Sequence, residues 1–315
     1  MSAVGFMNVT TSFFTGICII AEKKEQEVFI MNKIISGKVR EVYETDNGEL
    51  VLVTTDRISA FDVILDSTIP NKGKALNQIS LYWFDLTKDI IPNHIISDKL
   101  SDMPEFFADK EKYEGRTVMT KKLKMLPYEF IVRGYMFGSM WEDYKKNKAY
   151  CGQPIEGEYQ LAEKLKAPMV TPSVKNSEGH DENITLDRLR DEIGKEEADK
   201  IADICVKIYN KCYEDAKKKG LIIADTKFEF GYDENGVLTI GDEVMTPDSS
   251  RFWAAEDYKT GVSPRSYDKQ FVRDWLIEKK LNGVTPAPQL PEDIVENTAK
   301  LYKECFTKIT GKADY

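Results

Sequence analysis

One stretch, residues 221–253 (LIIADTKFEFGYDENGVLTIGDEVMTPDSSRFW), constrains the fold most, because it spells a β-hairpin in its own periodicity. Ile222, Ala224, Thr226, Phe228 and Phe230 fall on one face of a strand, and Asp225, Lys227 and Glu229 on the other. Asn235-Gly236 is a strong turn signal, since both residues tolerate the positive φ of a type I′ hairpin. A two-residue loop there pairs Glu234 with Val237 and sets Glu229 opposite Asp242, with Cβ atoms ~5 Å apart. A four-residue loop keeps both acids on one face, whereas an odd loop substitutes Glu243. Like charges directly opposite destabilise a sheet unless a cation lies between them. Two readings fit these residues. One is a site for a hard divalent ion such as magnesium, which takes one or two carboxylates beside phosphate oxygens. The other is a solvent-facing acidic edge, neutralised in part by Lys227.

At 315 residues the chain exceeds one average domain, which favours two lobes or one large α/β unit. A net charge of −9 argues against a nucleic-acid binder with a broad basic face, yet leaves room for a local basic pocket. The five cysteines (Cys18, Cys151, Cys205, Cys212, Cys305) are scattered and form no CxxC pair. That argues against a disulfide framework or a zinc site, and for a reducing cytoplasm. With only His94 and His180, a histidine-rich metal site or a Ser-His-Asp triad has little material. No apolar run approaches the ~20 residues of a membrane span. Residues 1–20 lack a basic n-region, and MNKIISGKVREVY from Met31 reads as a domain start. Residues 1–30 are therefore expected to be a dispensable extension.

Residues 33–65 read as strands around a turn at Asp46-Asn47-Gly48. A helix is expected over 76–91, ending at Pro92, followed by strands over 116–135. Residues 170–184 read as a polar loop. A helix over 196–219 carries the stripe Ile201, Cys205, Ile208, Cys212 and Ala216, with Gly220 at its stop. A last helix over 290–310 turns Ile294, Leu301, Cys305 and Ile309 inward. This order implies a two-lobed α+β or α/β protein, with a β-rich lobe over 31–124 and a larger α/β lobe over 125–315.

Chemistry concentrates in a few segments. In LPYEFIVRGYMFGSMWEDY, Glu129, Ile131 and Arg133 share a strand face, and Ser139 with Glu142 fits a capping box at a helix start. Amides at such a start favour anions, and Arg133 would converge there, as in a phosphate seat. In SGKVREVYE, Lys38 and Arg40 follow Gly37 two apart on a strand, and both would point the same way toward nucleotide phosphates. No GxxxxGK[ST] or GxGxxG occurs, which disfavours P-loop and dinucleotide folds. TTDRISAFD places Asp56, Arg57 and Asp62 at a strand end, and TPSVKNSEGHDEN gathers Lys175, His180, Asp181 and Asn183. TPDSSRFW presents Ser249, Ser250 and Arg251 just after the acidic hairpin, and Lys269 and Arg273 share a helical face.

These segments resemble the SAICAR synthetase (phosphoribosylaminoimidazole-succinocarboxamide synthase) family, in its longer, yeast-like form. LPYEFIVRGYMFGS is similar to one family signature and IADTKFEFG to a second. GKVREVYE, TDRISAFD, PNKGKALNQIS, KNSEGHDEN, GDEVMTPDSSRFW and SYDKQFVRDWL resemble further blocks in the same order, over roughly residues 33–283. The resemblance implies a β-rich N-terminal lobe, a larger α/β lobe and ATP in the cleft between them. It implies a ligase that joins L-aspartate to carboxyaminoimidazole ribotide (CAIR) at the expense of ATP, through an acyl phosphate, in purine biosynthesis. Glu229 and Asp242 resemble the magnesium ligands, and Gly37, Lys38 and Arg40 the other nucleotide-side residues. Arg40 stands where many bacterial members have lysine, and a guanidinium is not equivalent there. Arg133, Ser139 and Arg251 resemble the ribotide-binding set, and Asp225 and Lys227 the central acid and base, with Arg251 beside them. Asp62, Lys175, His180, Asp181, Lys269 and Arg273 match blocks that line the substrate cleft. ATP, magnesium, CAIR and aspartate are thus the expected ligands, with no nucleic acid, membrane or obligatory protein partner. A kinase-like phosphotransferase acting on another small anion is the competing enzyme class, and a nucleotide-sensing scaffold the competing non-enzyme.

Overall fold

The computed structural model of the chain describes residues 18–24, 27–176 and 181–315. Successive hairpins open it: β1 (Cys18–Lys24), β2 (Glu27–Ser36), β3 (Arg40–Glu44) and β4 (Leu50–Thr54). β1 and the first residues of β2 thus come from the stretch expected to be an extension, whose residues 1–17 lie outside the described ones. β5 (Arg57–Ala60) and β6 (Val63–Thr68) form a separate hairpin closed by Phe61 and Asp62, both in left-handed conformation. After α1 (Lys72–Thr87) come β7 (Ile95–Ser97), the one-turn helix α2 (Lys110–Tyr113) and β8 (Thr117–Thr120). The first sheet has the order β1-β2-β3-β4-β8-β7.

α1 spans 72–87 rather than the expected 76–91, for reasons that are not local. At its start the Gly73 amide donates to Asp56 Oδ1 at 2.8 Å, a cap supplied by the bend between β4 and β5. At its end the Ile90 amide folds back onto the Thr87 carbonyl, and the Pro92 carbonyl accepts from Ile240 at 3.0 Å. Residues 88–92 are therefore drawn out of the helix toward the acidic hairpin.

The second sheet begins with β9 (Lys124–Met125) and β10 (Tyr128–Tyr135). α3 (Gly138–Asn147) and a small hairpin of β11 (Ala149–Tyr150) and β12 (Gln153–Pro154) precede the long β13 (Lys164–Val174) and the short β14 (Glu182–Asn183). Two helices follow, α4 (Leu186–Ile193) and α5 (Lys195–Lys218), then β15 (Leu221–Tyr232), β16 (Leu238–Gly241) and β17 (Arg251–Ala254). The chain finishes with α6 (Gln270–Glu278) and α7 (Glu292–Thr310). Strand order is β14-β13-β10-β15-β16, with β9 and β17 also on β15. The expected loop over 170–184 is partly strand: Thr171 and Ser173 are buried where β13 pairs with Ile131 and Glu129 of β10. Their hydroxyls made the segment look polar, but β-branched threonine suits a strand and the tertiary pairing decides.

The strands divide between the sheets at residues 120–124, but the apolar packing crosses that line. The larger cluster joins Ile58, Leu65, Leu76 and Trp83 to α5, β15 and α7, while Tyr43, Val51, Phe106 and Phe107 form a smaller one under the first sheet. The α5 stripe Ile201, Cys205, Ile208, Cys212 and Ala216 is wholly buried, as its 3.6-residue period requires. On α7 Ile294, Cys305 and Ile309 face inward, but Tyr302 is buried and Leu301 only partly so. Two sheets with helices packed on them make an α+β, two-lobed architecture. Among the described residues no helix is long and apolar enough to cross a membrane.

Candidate active site

β15 forms the axis of the site. Its alternation sends Asp225, Lys227 and Glu229 to one face, about 6–7 Å apart along the strand. Neighbouring strands then deliver partners by register. β10 sets Arg133 opposite Asp225 and Ile131 opposite Lys227, and β17 sets Arg251 opposite Asp225 across a bulge. Asp225 therefore stands between two arginines. Arg251 Nη1 donates to its Oδ2, and Arg133 Nη1 lies 3.8 Å from the same oxygen. Arg133 is itself buried, donating from Nε to Thr171 Oγ1 at 3.0 Å and from Nη2 to the Tyr150 hydroxyl at 2.6 Å.

In mid-strand, Lys227 Nζ donates to Glu129 Oε1 at 2.5 Å. Burial alone would lower the pKa of this ammonium, but Glu129, Glu229 and Asp242 outweigh it and hold the group charged. At the far end Glu229 is buried, and Lys175 Nζ donates to its Oε2 at 2.5 Å. Burial, reinforced by the Asp242 charge, pushes Glu229 up from the ordinary 4.5 to about 7, against the opposing pull of Lys175 and Lys227. Asp242 moves the other way. Burial would raise it, yet Arg40, Lys227 and Lys175 together hold it low.

The hairpin register differs from the expected one. Tyr232 pairs with Leu238 and Glu229 with Gly241, so the loop has an odd number of residues. Asp233 Oδ1 accepts from both the Asn235 and the Val237 amide at 3.0 Å, and this side-chain turn displaces the two-residue type I′ turn. Nor does Glu243 simply replace Asp242. β16 stops at Gly241, Asp242 turns the chain at φ 54, and Arg40 reaches both acids. Its Nη1 donates to Asp242 Oδ1 at 3.1 Å and its Nη2 to Glu243 Oε2. Two nearby carboxylates shifted in opposite directions suit a hard cation, which would relieve the repulsion raising Glu229. Among the described residues no three His, Cys, Asp or Glu side chains are grouped to hold a metal. A magnesium ion on Glu229 and Asp242 would thus need phosphate and water oxygens, as magnesium commonly does.

The expected capping box is not formed. Phe137 is the N-cap of α3 and no side chain caps the helix, because Gly138 takes φ 60 and Ser139 becomes the second helical residue. The Ser139 hydroxyl instead meets the Tyr150 hydroxyl at 3.2 Å, and Glu142 pairs with Lys145 at 2.9 Å. The first-turn amides of α3 remain without a side-chain cap next to Arg251, which still favours an anion there. A Cβ at Gly138 would come within 2.9 Å of Arg251 Nη2, so only glycine lets the guanidinium approach the helix start.

Between β16 and β17 the chain folds into a compact turn, with the Thr246 carbonyl accepting from Ser249 at 3.1 Å and Ser250 at 2.8 Å. A pocket of about 120 Å³ lies beside it, lined by Asp225, Asp248, Ser249, Arg251, Lys269 and Arg273. Two polar atoms near it, Arg251 Nε and Asp268 Oδ2, are buried without a partner in the protein. Burial also lowers Lys269 and raises Asp268. Such unpaired groups are costly unless a ligand satisfies them. Arg251 and Arg273 also line a wider cleft of about 840 Å³, whose walls include Asp62, Gly138 and Trp141.

The remaining expected residues are less concentrated. Lys38 and Arg40 do not point the same way: Lys38 lies in the turn before β3 and pairs with exposed Asp62 at 2.5 Å, while Arg40 turns inward. That turn is tight, since the Gly37 amide donates to the Arg40 carbonyl at 2.8 Å, and Arg57 Nη2 anchors the Gly37 carbonyl at 2.9 Å. Asp181, itself exposed, accepts from the amide of exposed Asn176 at 3.2 Å. His180 lies outside the described residues.

Several residues at the site had no role assigned from the sequence. Glu129 was visible on the right strand face, but its partner Lys227 becomes evident only once β10 and β15 are paired. Lys72 gave a usable signal: it shares the i, i+3, i+4 face of Ala75, Leu76, Ile79 and Trp83, and a lysine on a buried stripe demands a partner. Tyr150, Asp248 and Asp268 gave none, because nothing in their local pattern separates them from surface residues.

A buried strand of alternating charges, with arginines converging at one end and paired acids at the other, marks an enzyme that handles anionic substrates in a cleft. The chain belongs to the SAICAR synthetase family, whose model matches residues 33–290. It is 50% identical over 289 residues to the phosphoribosylaminoimidazole-succinocarboxamide synthase of Maridesulfovibrio salexigens, covering 91% of this chain and 96% of the relative. To that of Lachnospira eligens it is 51% identical over 287 residues, covering 89% and 95%. Among solved structures, SAICAR-synthase from Saccharomyces cerevisiae complexed with SAICAR is similar at a TM-score of 0.82 and 41% identity, covering 90% of this chain and 95% of that one. A SAICAR synthetase in complex with ADP is similar at a TM-score of 0.65 and 27% identity, covering 89% and 99%. The family resemblance carried by the sequence motifs therefore holds.

Proposed function

We propose that this chain condenses L-aspartate with carboxyaminoimidazole ribotide, converting ATP to ADP and phosphate and yielding SAICAR in de novo purine biosynthesis. The observation that carries the reading is the β15 face. It places Asp225 between Arg133 and Arg251, Lys227 in the middle, and Glu229 beside Asp242.

In this reading Arg133, Ser139, Arg251 and the start of α3 hold the ribotide, with its phosphate at the uncapped amides. Gly37, Lys38, Arg40, Glu229 and Asp242 serve the nucleotide side. Glu229 and Asp242 would hold magnesium, which when bound neutralises charge on the nucleotide phosphates. The ribotide carboxylate attacks the terminal phosphorus of ATP, ADP leaves, and the acyl phosphate so formed is open to the aspartate amine. The amine adds to the carbonyl carbon, loses a proton and expels phosphate, leaving the amide. Lys227, kept protonated by three surrounding acids, acts as a fixed cation beside the reacting carboxylate rather than as a base. Asp225 orients the two arginines, and phosphoryl transfer needs little beyond such positioning and charge neutralisation. Asp62, Lys175, His180, Asp181, Lys269 and Arg273 are assigned to the substrate cleft, with Lys269 and Arg273 closest to the pocket beside Arg251.

The nucleotide lobe is assigned to residues 31–124 and the substrate and metal lobe to 125–315, with residues 1–30 an N-terminal extension. Cytoplasmic placement is supported by the free thiols of Cys151, Cys205, Cys212 and Cys305. The test is ADP release measured with and without aspartate and ribotide. Release requiring both, with a succinyl-amide product, is expected; aspartate-independent release with a phosphorylated product would make the chain a kinase-like phosphotransferase.

A further inference from the structure

α7 begins at Glu292, just beyond residue 290 where the family match ends, yet one of its side chains reaches the site. Tyr302 is buried, and its hydroxyl donates to Asp248 Oδ1 at 2.6 Å. The other oxygen, Oδ2, accepts from Lys72 Nζ at 2.7 Å, and Lys72 is wholly enclosed in the first turn of α1. Both oxygens of one carboxylate are thus held by donors from two different helices. Lys72 Nζ also lies 5.7 Å from the centre of the Tyr302 ring. Lys72 first, then the Lys269 charge, with a smaller share from the tyrosine hydroxyl, outweigh burial and keep Asp248 well below the usual carboxylate range.

A buried ion pair is a poor device for stability alone, because desolvation offsets most of its attraction. Its location suggests a different use. Asp248 lines the pocket that holds Ser249, Arg251, Lys269 and Arg273. It sits in the compact turn closed on the Thr246 carbonyl, so any shift of Asp248 shifts Ser249, Ser250 and the start of β17. Ser250 is further tied to the central strand by its hydroxyl, 2.7 Å from Thr226 Oγ1.

We infer that Tyr302 is a positioning residue of the ribotide end of the site: through Asp248 it fixes the 246–251 turn, and with it the placement of Arg251. The inference rests on the ribotide reading proposed above. Tyr302→Phe deletes one oxygen and keeps the ring in place. The KM for the ribotide should rise about tenfold. The kcat and the KM for ATP should each change by less than about twofold. Ile309→Val, a buried change on the same helix away from Asp248, is the comparison: it should lower Tm and leave the ribotide KM alone. A Tyr302→Phe enzyme whose ribotide KM stays within about twofold of the parent overturns the inference, as does an equal rise in Ile309→Val. If the parent itself shows no aspartate-dependent turnover, the ribotide reading fails and the positioning role falls with it. Normal parent turnover with an unmoved KM in Tyr302→Phe removes the positioning role alone.

Discussion

Lys175 and Glu229 meet at 2.5 Å at the end of β15, yet the carboxyl group is still pushed up to about 7. The reason is geometric. Glu229 is buried and shares its surroundings with Asp242, while Arg40 is committed to Asp242 and Glu243. One lysine, helped by Lys227, cannot compensate both burial and a neighbouring charge.

A stability prediction follows. Folding raises the pKa of Glu229, so its contribution is complete below the ordinary 4.5 and is lost as pH rises through about 7. Glu229→Gln, which fixes the neutral form, should raise Tm by roughly 2–4 °C at about pH 8 and give no gain near pH 4.5. Thermal unfolding of both proteins across this range, without nucleotide or metal, checks it.

The same substitution should stabilise the protein and disable the enzyme. Glu229→Ala and Asp242→Ala should each lower turnover by at least ~100-fold. Circular dichroism should remain that of the parent. Parent-like magnesium-dependent rates in either variant would remove that residue from the metal site.

Arg251 donates to Asp225 and lines both the small pocket and the wide cleft. Arg251→Ala should raise the KM for the ribotide by about 10–150-fold, the range of a lost charged hydrogen bond. The KM for ATP should hardly move. Initial-rate measurements varying each substrate in turn separate the two, and an effect confined to ATP would reassign the residue to the nucleotide side.

Gly138→Ala tests the close approach of a guanidinium to a helix start. Its φ of 60 and the 2.9 Å contact of a Cβ with Arg251 Nη2 both oppose a side chain. Stability should fall by about 1 kcal/mol. The ribotide KM should rise, because Arg251 is pushed aside. Unchanged ribotide affinity in a destabilised variant would show that the glycine serves the backbone alone.

The alternating face of β15 was legible in the sequence because strand periodicity is local, and so was the apolar stripe of α5. The register of the acidic hairpin was not: Asp233 caps the loop with its own side chain, and Asn235-Gly236 signals a tighter turn than the one formed. The start of α1 was hidden for a related reason, since its cap comes from Asp56, sixteen residues upstream of the helix's first residue Lys72. Lys38 and Arg40 look equivalent two residues apart, but the Gly37 turn takes Lys38 out of the strand. In each case a side chain distant in sequence or a competing local hydrogen bond decides, and neither appears in a periodicity. Convergence of Arg133 and Arg251 on Asp225 needed three strands in register, and no one segment carries that information.

The central claim is that the ribotide carboxylate is phosphorylated before aspartate displaces the phosphate. With heavy oxygen in that carboxylate, mass spectrometry of the released inorganic phosphate tests it directly. One labelled oxygen should pass to phosphate at each turnover, in proportion to SAICAR formed. Unlabelled phosphate, with the heavy oxygen lost from the carboxylate appearing in water instead, would contradict the acyl-phosphate route.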